Sequence, residues 1–443
     1  MDAQVTHSIQ FLQRQAASLL IYQSVLHSEV GVAFLNLLQS LRHPDPDGVN
    51  CLRAYGDWFN ALAIQRQSWQ DHLLTQLLRA ENPFSQQAQR TDLVSLPPPL
   101  LAAAQHDLQV LQHLYACNGQ QLSQWVQAAA ALPVVPTAWN QTRTGHPQSG
   151  LEGIRKLPLW VKLEGIEDWS GVLEDLAAYY RKAGAGLFSE YRALRWQSGK
   201  LTGIPYPDLV RLKELKGYEA QQETLIKNTE ALLAGYPALH VLLYGSRGSG
   251  KSSLVKAMLP RYAEQGLRLI EVAKSDLRDL PAIVDQLRGV PQKFIIFVDD
   301  LSFEEDEDAY KALKVVLEGN LTARPQNMVV YATSNRRHLI REFFGDRPRP
   351  SDADEIHNWD TVQEKLSFSD RFGLTLTFEP ADQKTYLAIV HHLATLAEIP
   401  LTTQELEFQA LQWATRHNGR SGRTARQFID SLIPQTRHRS RLE

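Results

Sequence analysis

Residues 239 to 252 read Leu239-His-Val-Leu-Leu-Tyr-Gly-Ser-Arg-Gly-Ser-Gly-Lys-Ser252, and this stretch contains the most specific pattern in the chain. It joins an apolar run to the pattern Gly-x-x-x-x-Gly-Lys-Ser, which between a strand and a helix is the Walker A phosphate loop of nucleotide-binding proteins. Glycines suit this loop because backbone N–H groups close around phosphate oxygens only where no Cβ obstructs them. The helix predicted over 253–260 would point its N-terminal dipole at the bound anion.

The side chains at the end of the loop have expected roles. Lys251 is expected to reach the β- and γ-phosphates, and Ser252 to hold Mg²⁺ through its hydroxyl. The alternative is a glycine-rich turn that matches the pattern by accident, which the strand before it and the helix after it disfavour. The predicted phosphate-binding set is Gly245, Ser246, Arg247, Gly248, Ser249, Gly250, Lys251, Ser252 and Ser253.

Length, charge and cysteine usage limit the class of protein. The 443 residues favour two or three domains, and 46 Lys and Arg against 49 Asp and Glu create no overall field that would favour nucleic acid or an anionic membrane. The only cysteines, Cys51 and Cys117, form no Cys-x-x-Cys pair, which suits a reducing compartment. The N-terminus lacks the basic and then apolar pattern of a signal peptide, and no apolar run has the length of a membrane span. A cytoplasmic protein with no membrane partner is therefore predicted.

The first half of the chain has the apolar spacing of helices. Helical stretches are predicted over about 11–41, 49–78 and 100–132. Seven of the nine tryptophans precede residue 200, which favours an aromatic core. The segment 198–207 is rich in Gly and Pro and is interpreted as a domain boundary, so residues 1–200 are predicted to form a mostly α-helical N-terminal domain.

After this boundary, short apolar strands alternate with helical patterns. Strands are predicted over 239–244, 267–272, 294–298, 328–332 and 374–378. This alternation indicates βαβ units and a parallel sheet covered on both faces. An α/β nucleotide-binding core with a five-stranded parallel sheet is therefore predicted over 201–380, with a small C-terminal helical lid over 381–443.

Polar side chains follow two of these strands. The strand 294–298 ends in Asp299 and Asp300, which is the Walker B arrangement, and carboxyl ends of strands are where α/β sheets bind ligands. Asp299 is expected to hold the Mg²⁺ shell, and Asp300 to orient or deprotonate the attacking water. The alternative is a plain strand-ending turn. Asn335, after the next strand, is expected to hydrogen-bond the γ-phosphate or its water.

Two arginine positions are candidates for nucleotide sensing. Arg371 lies in Ser-Asp-Arg-Phe-Gly just before the last strand, where it could complete the site of a neighbouring subunit or form a surface salt bridge. Further on, the run 419–428 contains three arginines at the start of a helix. Arg423 is the favoured lid sensor, and Arg420 and Arg426 are its competitors.

These motifs together resemble those of an AAA+ ATPase, in the order phosphate loop, Walker B, strand-tip Asn, Arg-Phe box and C-terminal arginine helix. The Asp-Asp ending and the Arg-Phe box are similar to those of DnaA-type initiators and DnaC-type loaders. Residues 205–435 resemble more closely an uncharacterised bacterial AAA+ family known only as a domain of unknown function. The resemblance implies ATP binding and hydrolysis, with Gly217 and Tyr218 near the adenine. The usual Walker B ends in Asp-Glu, so the shorter Asp300 is compatible with slow turnover.

Two hypotheses about function follow. In the first, the protein is an ATPase that assembles into a homo-oligomer on binding ATP and remodels or loads a protein or nucleic-acid client. In the second, it is an ATP-gated binding module with little turnover that docks a partner through its N-terminal helices. Nucleic acid as the client depends on the analogy and on a basic stretch, for which the alternative is a solvated tail; its members are Arg416, Arg420, Arg423, Arg426, Arg437, Arg439 and Arg441.

Overall fold

The computed structural model describes residues 2–139, 155–302, 308–318, 325–335, 367–417 and 419–439. The chain divides into two compact units, Met1–Glu190 and Tyr191–Glu443. Arg441 of the predicted basic stretch lies outside the described residues. Among those residues, no helix combines the length and the apolar character needed to cross a membrane.

The first unit is helical where it is described, as predicted. Its helices are α1 Ala3–Ala17, α2 Glu29–Arg42, α3 Val49–Gln65, α4 Trp69–Arg79, α5 Pro83–Ala88, α6 Pro98–Ala116, α7 Gly119–Ala129, α8 Pro158–Gly165, α9 Leu173–Ala183 and α10 Leu187–Glu190.

Each of the three long helical stretches predicted for this unit is divided in the structure. The divisions come where a side chain caps a new helix: Ser28 before α2, Ser68 before α4 and Asn118 before α7 each accept a hydrogen bond from a backbone N–H of the first turn. Apolar periodicity continues through such caps, so it does not reveal them.

An aromatic core holds these helices together, as the tryptophan distribution predicted. The rings of Phe34 on α2 and Trp69 on α4 stack with centroids 4.1 Å apart, and Trp58 on α3 lies edge-on to Trp69 at 6.4 Å. All three side chains are almost fully buried. Burial of rings of this size contributes about 1.5–3 kcal/mol each or more, which makes this cluster a principal source of stability for the unit.

The second unit is built on a mostly parallel sheet. Its strands are β1 Ala193–Gln197, β2 Lys200–Gly203, β3 Val241–Gly245, β4 Leu267–Glu271, β5 Lys293–Val298, β6 Met328–Ser334 and β7 Leu374–Phe378. Their order across the sheet is β2-β1-β4-β5-β6-β3-β7, with only β1–β2 antiparallel among the described pairs. Every residue of β6 is buried, as expected of a central strand covered on both faces.

The prediction of five strands is wrong, because the described sheet has seven. The five predicted strands are β3 to β7, and the hairpin β1–β2 adds two at the β4 edge. Ser198 and Gly199 connect the hairpin with φ of 52° and 77°, which is the backbone of a two-residue type I′ turn rather than of a linker. The domain boundary predicted after residue 200 therefore falls inside the hairpin, whereas the compact units meet after Glu190.

Helices flank the sheet and follow it. They are α11 Glu219–Leu233, α12 Lys251–Tyr262, α13 Leu280–Leu287, α14 Asp308–Glu318, α15 Gln383–Leu396, α16 Thr403–Arg416 and α17 Gly422–Arg439. The last three share a hydrophobic cluster of their own that includes Tyr386 and Phe428. A capping box of Thr402 and Glu405 starts α16. The predicted fold class, an α/β core that carries the phosphate-loop sequence between a strand and a helix and is followed by a C-terminal helical segment, is confirmed.

Candidate functional site

A cavity of about 830 Å³ lies at the carboxyl ends of β3, β5 and β6, against the N-terminus of α12. Carboxyl ends of parallel strands are the usual ligand position in α/β sheets, because loops and helix N-termini converge there. The cavity is lined by residues of the predicted phosphate loop, by both predicted acids and by the C-terminal helices.

The backbone of the loop explains its glycines. Gly245 has a φ of 135°, and a Cβ at this residue would lie 2.0 Å from the carbonyl oxygen of Phe378 on the neighbouring strand β7. Gly250 caps α12 with a φ of 91°. Ser249 closes the turn by donating from its hydroxyl to the carbonyl of Ser246 at 2.9 Å. Side chains at the two glycine positions would be strained or would collide with β7, so the loop depends on them.

Lys251 lines the cavity and is 6 % exposed. Its Nζ donates to the carbonyls of Gly245 and Ser246 at 2.9 and 2.8 Å and approaches Asn335 Oδ1 at 3.4 Å. Burial lowers the pKa of this ammonium, and the carboxylates nearby oppose the shift only in part. These three contacts are to neutral oxygens, so the buried cation is well suited to receive an anion.

Asp299 and Ser252 meet at the mouth of the loop. Ser252 Oγ donates to Asp299 Oδ1 at 2.6 Å. The same carboxylate oxygen accepts from Thr333 Oγ1 at 2.5 Å and from the backbone N–H of Asp300 at 3.2 Å. A hydroxyl and a carboxylate are the hard oxygen ligands that Mg²⁺ takes in proteins, and these two residues therefore fit the predicted metal role.

Asp300 and Asn335 face each other across the ends of β5 and β6. Asn335 Nδ2 donates to Asp300 Oδ1 at 2.6 Å. Asp300 has a left-handed backbone with a φ of 51°, a conformation that Asp tolerates better than most non-glycine residues. This conformation puts the Asp300 carboxylate among the side chains that line the cavity, beside Lys251.

The three C-terminal arginines occupy different positions. Arg423 lines the cavity, and its backbone N–H donates to the carbonyl of Gly248 in the loop at 3.2 Å. Arg426 also lines the cavity, and its guanidinium pairs with Glu214 at 3.1 Å. Arg420 lies outside the described lining. The position of Arg423 against the loop favours it as the lid sensor, which stays a prediction.

Gly217 and Tyr218 also line the cavity. Both have left-handed backbones, with φ of 84° and 58°. The Tyr218 hydroxyl donates to the carbonyl of Glu379 at 2.5 Å, and its ring lies 5.0 Å from that of Phe378. The apolar side chains of Leu215, Ile389 and Leu393 also line the cavity, and an apolar lining of this kind is suited to a nucleobase.

Arg371 is the one predicted catalytic residue that lies outside the described lining of the cavity. Its guanidinium forms an ion pair with Glu318 at the end of α14. The structure therefore does not bring Arg371 together with Lys251, Asp300 and Asn335 within this chain. The ion pair agrees with the salt-bridge alternative for Arg371, and a role toward another copy of the chain stays a prediction.

Several residues of the site were missed from the sequence. Thr333 contacts both acids, and Glu214 holds Arg426 although the two lie 212 positions apart. Asp208 pairs with Lys256 on the phosphate-loop helix at 3.1 Å. The only sequence signal was a polar residue at the tip of β6 for Thr333. The two ion pairs had none, because they join segments that are far apart in the chain.

One protein family and several solved structures are similar to this chain. A family model described as "Protein of unknown function (DUF815)" matches residues 189–436. No curated protein matches the chain. Among solved structures, the RuvB Holliday junction branch migration motor of Thermotoga maritima matches with 17% identity and a TM-score of 0.33, over 50% of this chain and 72% of that one. Two variants of that protein match at the same identity and coverage with TM-scores of 0.32. Matches of this size carry no argument about activity or client.

Proposed function

This chain belongs to the family described as "Protein of unknown function (DUF815)", and we propose that it binds ATP with Mg²⁺ and hydrolyses it to remodel or load a protein or nucleic-acid client. One observation carries the proposal. Lys251, Asp299, Asp300 and Asn335 come from the phosphate loop and the ends of two strands, and all line one cavity against a glycine cradle.

Each of these side chains has a part in the proposed reaction. Lys251 exchanges its two carbonyl partners for phosphate oxygens, and charge-assisted bonds of this kind are about twice as strong as neutral ones. Ser252 and Asp299 would hold Mg²⁺, which when bound neutralises charge on the β- and γ-phosphates. Asp300 accepts a proton from the attacking water, whose oxygen forms a bond to the γ-phosphorus as the bond to the β–γ bridging oxygen breaks. The products are ADP and inorganic phosphate.

Asn335 positions the base. Its amide donates to Asp300 Oδ1 at 2.6 Å and so holds one oxygen of the carboxylate, while the other oxygen is available for the water. Its Oδ1 lies 3.4 Å from Lys251 Nζ, which connects the base to the phosphate-binding cation. A single amide therefore contacts both the phosphate-binding lysine and the proposed base.

One observation favours the alternative, an ATP-gated binding module with little turnover. The Asp300 side chain is short and already engaged by Asn335, so a water must approach a carboxylate that has little freedom to follow it. Proton transfer needs a donor–acceptor distance of about 2.6–3.2 Å, and an offset of this carboxylate would slow it. In this version the ATP-bound state itself docks the client.

The proposal of a homo-oligomer depends on Arg371. An arginine supplied by a neighbouring subunit stabilises transition-state charge and is worth about 10³ to 10⁵ in rate. In this chain the Arg371 side chain is only 18% exposed and its guanidinium pairs with Glu318. The guanidinium therefore has a defined orientation before any assembly. Assembly of ATP-bound subunits would transfer it from Glu318 to the γ-phosphate of the next subunit.

The test is ATP turnover per protomer across a wide range of protein concentration. We compare the wild type with Asp300→Asn, Arg371→Ala and the control Arg192→Ala, which breaks a surface ion pair with Glu264 in the same unit. The proposal expects Asp300→Asn to bind ATP normally without turnover. It also expects wild-type specific activity that rises with concentration in an Arg371-dependent way. Flat, slow turnover that Arg371→Ala leaves unchanged supports the gated module, and absence of ATP binding refutes both.

A further inference from the structure

We propose that Thr333 is a positioning residue of this site, whose hydroxyl bridges the Asp299 carboxylate and the backbone N–H of Asp300 and so sets both the metal affinity and the rate. The inference deepens the proposed ATPase function and rests on it. Thr333 is the last-but-one residue of β6, is 2 % exposed and lines the cavity.

The directions of the two hydrogen bonds of the hydroxyl are fixed by chemistry. A carboxylate oxygen accepts, so Thr333 donates its single proton to Asp299 Oδ1 at 2.5 Å. The backbone N–H of Asp300 only donates, so Thr333 Oγ1 accepts from it at 3.0 Å. One hydroxyl thus bridges the side chain of the first acid and the main chain of the second. Neither bond is possible for a methyl group.

The hydrogen bond from Thr333 orients the Asp299 carboxylate independently of Ser252, a predicted Mg²⁺ ligand. In the structure Ser252 Oγ donates to the same oxygen of Asp299 that Thr333 holds. If Ser252 were to hold Mg²⁺, it would no longer donate to Asp299 Oδ1, and Thr333 would still orient the carboxylate. Residues that orient metal ligands in this way typically contribute about 10–100-fold in metal affinity or activity.

The second bond supports an unusual backbone. Asp300 has a φ of 51°, and its N–H is held by Thr333 Oγ1 and, more loosely, by Asp299 Oδ1 at 3.2 Å. Left-handed non-glycine residues persist where surrounding contacts determine them. Thr333 therefore sets the direction of the Asp300 carboxylate without touching it.

The remaining contacts of β6 with this turn make the idea testable. The backbone carbonyl of Thr333 accepts from the N–H of Leu301 at 2.7 Å, and the hydroxyl of Ser334 donates to the carbonyl of Leu301 at 2.8 Å. Neither contact uses the Thr333 side chain. Thr333→Val has the same shape, keeps both contacts and removes only the hydroxyl, while Thr333→Ser keeps the hydroxyl.

The experiment compares wild type, Thr333→Val, Thr333→Ser and Thr229→Val. Thr229 is also a fully buried threonine, hydrogen-bonded to Tyr331 on the same strand as Thr333, but it lies outside the described cavity lining, so it reports the cost of losing a buried hydroxyl in general. Binding of a fluorescent ATP analogue is measured in EDTA and across a Mg²⁺ titration, and single-turnover hydrolysis is measured at saturating Mg²⁺.

For Thr333→Val we expect analogue affinity in EDTA within twofold of wild type, a Mg²⁺ half-saturation concentration raised about 10-fold or more, and turnover reduced about 10–100-fold. Thr333→Ser should recover most of both, and Thr229→Val should change neither. The inference is overturned if Thr333→Val leaves Mg²⁺ dependence and turnover unchanged. It is also overturned if Ser fails to recover them, or if affinity in EDTA falls as much as affinity in Mg²⁺.

Failure of the proposed function gives a different result. A wild type that binds the analogue in a Mg²⁺-dependent manner without hydrolysing it refutes the ATPase, while the shift in Mg²⁺ half-saturation still decides the role of Thr333. A wild type whose nucleotide binding does not depend on Mg²⁺ refutes both.

Discussion

Replacing Lys251 with Met should weaken ATP binding while leaving the stability of the nucleotide-free protein almost unchanged. The substitution keeps most of the length and the apolar stem of the side chain and removes the ammonium. In the structure this ammonium donates to two loop carbonyls at 2.9 and 2.8 Å while almost fully buried. Two opposing terms are therefore lost together, the hydrogen bonds and the cost of burying the charge.

These two terms have similar sizes in the absence of nucleotide. Hydrogen bonds from a charged donor contribute about 1.5–3 kcal/mol, and desolvation of a buried ion costs several kcal/mol. The direction of the Lys251 pKa, lowered mainly by burial, shows that the surroundings disfavour the ionised form. We therefore expect the free energy of unfolding without nucleotide to change by no more than about 1 kcal/mol.

With nucleotide the terms no longer cancel, because the phosphate would replace the carbonyls. Loss of a charge-assisted phosphate contact of about 1.5–3 kcal/mol weakens binding about 10- to 150-fold. At an ATP concentration of 100 times the wild-type Kd, ligand stabilisation is about 2.7 kcal/mol, and a 100-fold weaker variant retains about 0.4 kcal/mol. At about 2–4 °C per kcal/mol for a unit of this size, the ATP-induced rise in Tm shrinks from about 5–10 °C to about 1 °C.

The assay is thermal unfolding with and without Mg²⁺·ATP for wild type, Lys251→Met and Lys227→Met. Lys227 is an exposed lysine on α11 that pairs with Glu223, and its replacement should leave both melting temperatures unchanged. The reasoning is refuted if Lys251→Met keeps the full ATP-induced shift. It is equally refuted if the variant unfolds several degrees lower without ATP, which would make the lysine a structural residue.

Three further predictions concern other parts of the chain. Burial lowers the pKa of His72 to about 4, so stability should fall by about 3 kcal/mol as pH drops from about 6.5 to 4, and urea unfolding of His72→Gln should lack this loss. Asp107 is fully buried and accepts from three backbone N–H groups, so Asp107→Ala should cost about 3–5 kcal/mol in denaturant unfolding; a cost below 1 kcal/mol would contradict its role. Glu214→Gln breaks the half-exposed pair with Arg426 and should cost less than about 1 kcal/mol, so a larger loss by the same measurement would show that the pair is not a surface bridge.

Features that depend on residues close together in the chain were mostly predicted correctly from the sequence. The five core strands, the phosphate loop and the two acids were each marked by neighbours in the chain: an apolar run, glycines at set positions, or a strand followed by acid. The helix starts at Ser28 and Ser68 were missed although they are local, because apolar spacing continues through a capped break. The hairpin turn at Ser198 and Gly199 was interpreted as part of a domain boundary, because a segment rich in Gly and Pro is typical of both turns and boundaries.

Patterns in the sequence were sufficient for the α/β class, for five of the seven described strands and for the helical character of the two flanking segments, since backbone propensity and apolar periodicity are set by residues close in the chain. Only the tertiary structure decided which side chains meet. Thr333 joins both acids, Arg423 lies against Gly248, Arg426 pairs with Glu214, and Arg371 pairs with Glu318 away from the cavity. Such contacts join segments that are distant in the chain, so they depend on how the second unit packs around its sheet, and no local pattern records them.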